Sequence, residues 1–358
     1  SDTVQLIVDM KAPMEAKVYT MANPHRLVID IQKEYEEMQP RQIMPGLNYT
    51  RYLRVDNRGM LTAYVLEADR SKFDLQLVLA GDSIASGRQK LKAIASAHQA
   101  VAAINGGYFA LDGSLIGNTR INGQTAGTTY FDRTSLGFMP DGTLKLATSQ
   151  YYGVVEIAGQ KVYLSGVNCP RGENNTILYN SLFGNYTGTN EFGKEYVVQN
   201  GKVIAINQAN SFIPTDAQVI SVHGTAQDAF AKVRIGDKIS IGENFGPELD
   251  SASTIVLHVT AVQEQFPSDI AKGRAPRTAL GIKADGKIIL MVIDGRQSHS
   301  IGTTLTETAQ LLQKFGAVNG FNLDGGGSSE MVLQGQILNS PSDGGERPVG
   351  SGLILTRR

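Results

Sequence analysis

The 358-residue chain has a single cysteine, Cys169, which excludes an intrachain disulfide and any Cys-x-x-Cys metal site. Tryptophan is absent and 39 glycines are present, a balance that suits many short strands joined by turns. Neither sign of charge dominates: 33 Lys and Arg stand against 34 Asp and Glu. No Lys/Arg cluster interrupts that balance, so a nucleic-acid partner, which needs a basic stripe, is not expected. The longest uninterrupted apolar run, Ile288 to Ile293, is far too short to cross a bilayer, so no transmembrane segment is expected. The chain opens at Ser1 without a methionine and reads as a processed or truncated product whose leader has been removed.

Several catalytic templates are missing as well. "DGGGSS" lacks the Gly-Lys-Ser/Thr ending of a phosphate loop, and the glycines of "NGGYFALDG" are wrongly spaced for a dinucleotide fingerprint. There is no Gly-x-Ser-x-Gly elbow, no His-Glu-x-x-His and no ligand cluster with zinc spacing. Cys169, before Pro170, reads as an ordinary small residue.

What is present is strand-like and glycine-punctuated. Residues 1–44 hold two strand-like runs, "VQLIVDM" and "HRLVIDI", and a charged, proline-containing stretch at 33–44 that reads as a linker. This β-rich extension, or remnant of an envelope β-module, precedes a main domain over 45–358. In the main domain, strands at 61–67 and 75–79 are followed by a helix over 89–98 and a buried strand in "AVAAINGGYF". Asp141-Gly142, Asn200-Gly201 and Asp285-Gly286 mark hairpins. "DAFAKVRIGDKISI" (228–241) reads as a short helix, a turn and a strand. Residues 303–316 read as a helix opened by a Thr304/Glu307 capping box, closed at Gly316, and buried through Leu305, Ala309, Leu311 and Leu312. Strands and helices mix without βαβ alternation. The expected class is α+β, with a mixed, mainly antiparallel sheet and flanking helices.

Glycine-rich loops at strand ends gather polar residues that are costly to bury: Asn105, Arg277, Asp294, Arg296, Asp324, Ser328, Ser329, Glu330 and Arg347. Alternatives stand beside each. Asp294-Gly295 also fits a plain turn, Asp324 also fits a cap for the turn that follows it, and Arg347 also fits an ion pair with Asp294 or Asp324. His299 fits either a base or a solvated loop residue, and His258 reads as a strand position. Carboxylates, guanidinium groups and glycine-exposed amides together suit a sugar, a phosphate, or both.

The loops "AAINGGYF", "PRTALGI", "VIDGRQ", "TLTETAQLL", "NLDGGGSSEMV" and "NSPSDGGERPV" occur in the order in which they occur in the phosphodiester glycosidase family, which residues 45–358 resemble. Glu330 departs from the pattern, since many relatives carry a small hydroxyl residue there. The resemblance implies hydrolysis of a glycosyl-1-phosphodiester, releasing a sugar such as N-acetylglucosamine, by a secreted or cell-envelope bacterial enzyme. For that reaction, residue type and loop position point to Asp324 as the carboxylate at the anomeric centre, with Asp294 second. Asn105, Gly106, Gly107, Arg277, Thr278, Arg296, Gly326, Gly327, Ser328, Ser329 and Arg347 are then expected to bind substrate. A divalent Ca²⁺ or Mg²⁺ among the aspartates is left open, as is a non-catalytic sugar-phosphate-binding protein.

Overall fold

The structure is a computed structural model that describes residues 3–10, 14–128, 133–257 and 272–358. His258 lies outside them.

The first strands are a hairpin, β1 (Ala16–Met21) and β2 (Arg26–Ile31), which pair only with each other among the described residues. Then come β3 (Tyr35–Met44), β4 (Leu47–Asp56), β5 (Gly59–Ala68), β6 (Phe73–Leu79), helix α1 (Leu91–Ala97) and β7 (Ala102–Asn105). After a strand-rich middle region follow β8 (Arg277–Lys283), β9 (Ile288–Ile293), helix α2 (Leu305–Lys314), β10 (Ala317–Asn322), β11 (Met331–Leu333), β12 (Gln336–Ile337) and β13 (Ser351–Arg357).

Two antiparallel sheets make the frame. One has the order β10-β8-β9-β5-β4-β3, the other β12-β11-β7-β13-β6. Period-2 alternation along these strands sends one set of apolar side chains inward. Leu66, Leu280, Leu290 and Val292 of the first sheet form one core cluster with Leu75, Leu77, Ile104, Met331 and Leu353 of the second. The outer faces are apolar too and are capped. α2 lays Leu311 and Leu312 on Ala63, Val65, Ile289 and Met291, while α1 lays Leu91 and Ala95 on Ala103, Val332 and Ile354. Helix, sheet, sheet and helix therefore stack in four layers. β9 is covered on both faces, which is why it is an unbroken apolar run. The middle region builds further sheets, including a five-stranded one whose Gly166–Val167 and Thr176–Tyr179 pair is parallel.

The mainly antiparallel reading stands, but the molecule is richer in β structure than an α+β fold with flanking helices: α1 and α2 have only seven and ten residues. Residues 33–44 are not a linker. They form β3, an edge strand in register with β4, and Pro40 and the charged residues that read as a break suit a strand with one unpaired side. The helix expected within 228–241 is a 3₁₀ turn at Gly224–Phe230. α2 has its capping box, with Glu307 N–H donating to Thr304 Oγ1 at 3.2 Å, and Gly316 follows it at φ +91°. Its buried stripe uses Thr308 where Ala309 was expected.

Candidate functional site

All the loops singled out above leave the same end of the two facing sheets. Arg277 opens β8 opposite Ile293, the last residue of β9, and Asn322 closes β10 opposite Ala279. Asn105 closes β7 opposite Gly352 of β13 and next to Met331 of β11. Residues 323–330 cross from one sheet to the other, so Asp324 lies where the sandwich edges meet.

Asn105 is the knot of this crossing and is 1% exposed. Its Nδ2 donates to the Asp324 carbonyl at 2.7 Å, and its Oδ1 accepts from the Thr278 hydroxyl at 2.7 Å and the Glu330 N–H at 3.2 Å. The Asp324 N–H in turn donates to the carbonyl of Gly106, and Leu323 N–H donates to that of Thr278. Gly106 donates to Ser351 O, and a side chain there would strike Ser351. Gly107 follows, half-buried, at the loop surface.

The glycines of 325–327 make room for guanidinium groups. Gly326 sits at φ +63°, a conformation costly for other residues, and a Cβ on it would lie 3.4 Å from Arg296 Nη1. A Cβ on Gly327 would collide with Arg347 and Asp343. The main-chain amides expected to face a ligand are largely spent inside the loop: Gly326 donates to Pro276 O, Ser328 to Gly325 O and Ser329 to Gly326 O. Arg347 pairs with Asp343, Nη2 to Oδ2 at 2.6 Å, and not with Asp294 or Asp324.

The electrostatics are uneven. Burial is the main cause that pushes the Asp324 carboxyl up to about 6; the Ser328 hydroxyl, Arg347 and the Gly325 amide pull against it. Arg277 is 3% exposed, with Nε donating to Thr303 O at 3.1 Å and Nη2 to Gly273 O at 2.8 Å. Burial lowers its guanidinium's pKa, and the nearby positive charge of Arg296 lowers it further. Arg296 is exposed, holds φ +59°, and makes no ion pair with a described residue. Arg277 runs alongside Gly325 and Arg296 faces Gly326, so two neighbouring positive charges border the backbone that follows Asp324 and make a place for an anion. The Ser329 hydroxyl and one carboxyl oxygen of Glu330 are buried in the same loop without a hydrogen-bond partner among the described residues.

Asp294 is 1% exposed and saturated with donors. Its Oδ2 accepts from the Tyr64 hydroxyl at 3.2 Å and lies 3.0 Å from His299 Nε2. Its Oδ1 accepts from Asn339 Nδ2 at 3.2 Å and from Ser340 N–H at 3.0 Å. Asn339 Nδ2 also reaches Ser329 O at 3.0 Å and so ties the 294–300 loop to the 324–330 loop. Tyr64 and Asn339 escaped the sequence reading. Tyr64 lies inside a strand with no local mark, and Asn339 stands in a quoted motif without a charge to draw notice.

Glu330 is 2% exposed, and burial followed by Glu346 pushes its carboxyl up to about 8. Burial raises the Cys169 thiol to about 11, which makes it a poor nucleophile. Among the described residues no three His, Cys, Asp or Glu side chains converge to hold a metal, and no helix is long and apolar enough to cross a membrane. An open cavity of about 490 Å³ lies elsewhere, and its carboxylates Asp216 and Glu243 are engaged by Gln199 and Tyr151.

Residues 180–356 match the family model described as phosphodiester glycosidase. Two relatives align over shorter stretches. The SPbeta prophage-derived uncharacterized protein YomE of Bacillus subtilis (strain 168) is 40% identical over 81 residues, 23% of this chain and 13% of that protein. The N-acetylglucosamine-1-phosphodiester alpha-N-acetylglucosaminidase of Bos taurus is 45% identical over 67 residues, 19% of this chain and 12% of that enzyme. The chain thus aligns with only a small part of either relative's length. A hypothetical protein from Synechocystis shares the fold, with a TM-score of 0.77 at 23% identity over 96% of this chain and 68% of that one.

Proposed function

Taking residues 180–356 as a phosphodiester glycosidase domain, we propose that this protein hydrolyses a glycosyl-1-phosphodiester in the bacterial envelope or exterior. The released sugar is N-acetylglucosamine or a close relative, cut from a phosphate-linked glycan or envelope polymer. One observation carries the reading: Arg277 and Arg296 approach each other alongside Gly325 and Gly326, the residues that follow Asp324, and Arg296 makes no ion pair among the described residues.

The chemistry follows from the leaving group. Breaking the C1–O bond releases a phosphate monoester whose second pKa is near ~6, so the departing oxygen needs little protonation at neutral pH. Cations on the phosphate do more, and Arg296 with Arg277 and Arg347 supplies them. Asp324 stands at the anomeric carbon and stabilises the oxocarbenium-like centre. Asn105, Gly106 and Thr278 hold the Asp324 main chain, Gly326 and Gly327 admit the guanidinium groups, and Gly107, Ser328 and Ser329 complete the loop walls. Asp294 acts from behind through the residues it binds.

Hydrolysis of a panel of sugar-1-phosphodiesters in heavy-oxygen water, followed by mass spectrometry, tests the reading. Label in the released sugar is expected. Label in the phosphate would make the protein a phosphodiesterase, and binding without turnover would leave it a sugar-phosphate-binding protein.

A further inference from the structure

His299 is the histidine that the fold holds against a buried carboxylate at this end of the sandwich. A carboxylate only accepts hydrogen bonds, and both oxygens of Asp294 already receive protein donors: Tyr64 Oη, Asn339 Nδ2 and the Ser340 N–H. The imidazole Nε2, 3.0 Å from Oδ2, must therefore carry its hydrogen toward Asp294. That leaves Nδ1 as the lone pair of the neutral ring, with no hydrogen-bond partner among the described residues and a side chain 39% exposed. The surrounding loop is rigidly tied. Thr62 Oγ1 donates to His299 O at 3.2 Å, Ser300 Oγ to Asp294 O at 2.6 Å, and Gln297 Nε2 to Ser340 O at 2.6 Å. Asn339 couples the same carboxylate to Ser329, five residues from Asp324.

We infer that His299, oriented by Asp294 through Nε2–H, is a further catalytic residue whose Nδ1 takes the proton of the water that adds to C1. This rests on the reading under Proposed function. As the water oxygen bonds to C1, the C1–O bond to phosphate breaks and its electron pair leaves with the phosphate monoester. The water proton passes to Nδ1 and from there to solvent, so atoms and charge balance. A buried carboxylate, a ring of fixed tautomer and a partly exposed side chain whose second nitrogen is left as an acceptor are what general-base work requires. The titratable groups facing the dyad are Asp294, Tyr64 on β5 and, behind Tyr64, Tyr49 and Arg51 on β4; Arg296 stands three residues away in the same loop.

The test compares the parent with His299→Gln on a glycosyl phosphodiester, reading kcat and KM across pH, with circular dichroism to show that the variant folds. Both Asp324 and His299 must be unprotonated, so the parent's acid limb should approach a slope of about 2 in log kcat against pH, and that of His299→Gln a slope of about 1. kcat should fall about 100- to 1000-fold with KM within about threefold. A variant that keeps the steeper limb, or most of kcat, removes this role while leaving the hydrolytic reading intact. A parent that turns over no glycosyl phosphodiester removes both. In ¹⁵N-histidine-labelled parent protein, the His299 ring should show Nε2 protonated and Nδ1 bare, and the opposite tautomer would overturn the inference without recourse to activity.

Discussion

Asn105 donates its side-chain amide to the main-chain carbonyl of Asp324 at 2.7 Å, across 219 residues of sequence. The bond joins the end of β7 to the loop leaving β10, so the position of the one carboxyl is set by the other sheet. Removing Asn105 strands three buried partners at once: the Asp324 carbonyl, the Thr278 hydroxyl and the Glu330 amide. Asn105→Ala is expected to lose about 3 kcal/mol of stability by chemical denaturation, and to lose turnover further than stability alone explains. A variant with parent-like kcat would mean that Asp324 does not depend on this bond.

Asp324 gives a pH-dependent prediction with a definite sign. Its carboxyl is raised to about 6, above the ~3.9 of an unfolded chain. The folded state therefore holds the proton more tightly, and ionisation costs native stability. That cost is absent below the unfolded value, grows as pH rises from ~4 to 6, and is constant above. Asp324→Asn should accordingly melt a few degrees above the parent at pH 7.5, about 1–2 kcal/mol, and show no gain near pH 3.5. Its turnover should fall at least ~100-fold. A variant less stable than the parent at neutral pH would contradict the picture of a carboxyl held against its ionisation.

Glu330 follows the same sign in a different window. Its carboxyl is raised to about 8 by burial and by Glu346, with Lys90 opposing. Native stability should decline as pH climbs from ~4.3 to 8, because the folded state resists giving up this proton. Glu330→Gln keeps the shape and drops the charge, so it should exceed the parent's stability at pH 9 by roughly 1–3 kcal/mol, and lose that advantage near pH 4. Equal urea midpoints at pH 9 would show that Glu330 and Glu346 do not share their strain.

Much of the site was legible in the sequence because its residues are chemically conspicuous. An aspartate, three glycines and two serines between apolar strands, or an Asp-Gly-Arg after an unbroken apolar run, stand out in any reading. The hairpins and α2 were legible for a similar reason: Asp-Gly and Asn-Gly pairs and a Thr-x-x-Glu box act within a few residues of themselves. β3 was misread because an edge strand shields its open side with proline and charge, the same features that mark a break in the chain.

By itself, the sequence determined the strand-rich class, the turn positions and the set of polar residues from which a site is built, since all of these depend on neighbours in the chain. The tertiary structure alone decided which partner each polar group takes. Arg347 goes to Asp343, the amides of 326, 328 and 329 turn inward, and Asp294 binds Tyr64, Asn339 and His299. Those choices are made where two sheets meet, and a contact across 173 or 230 residues leaves no local trace in either segment.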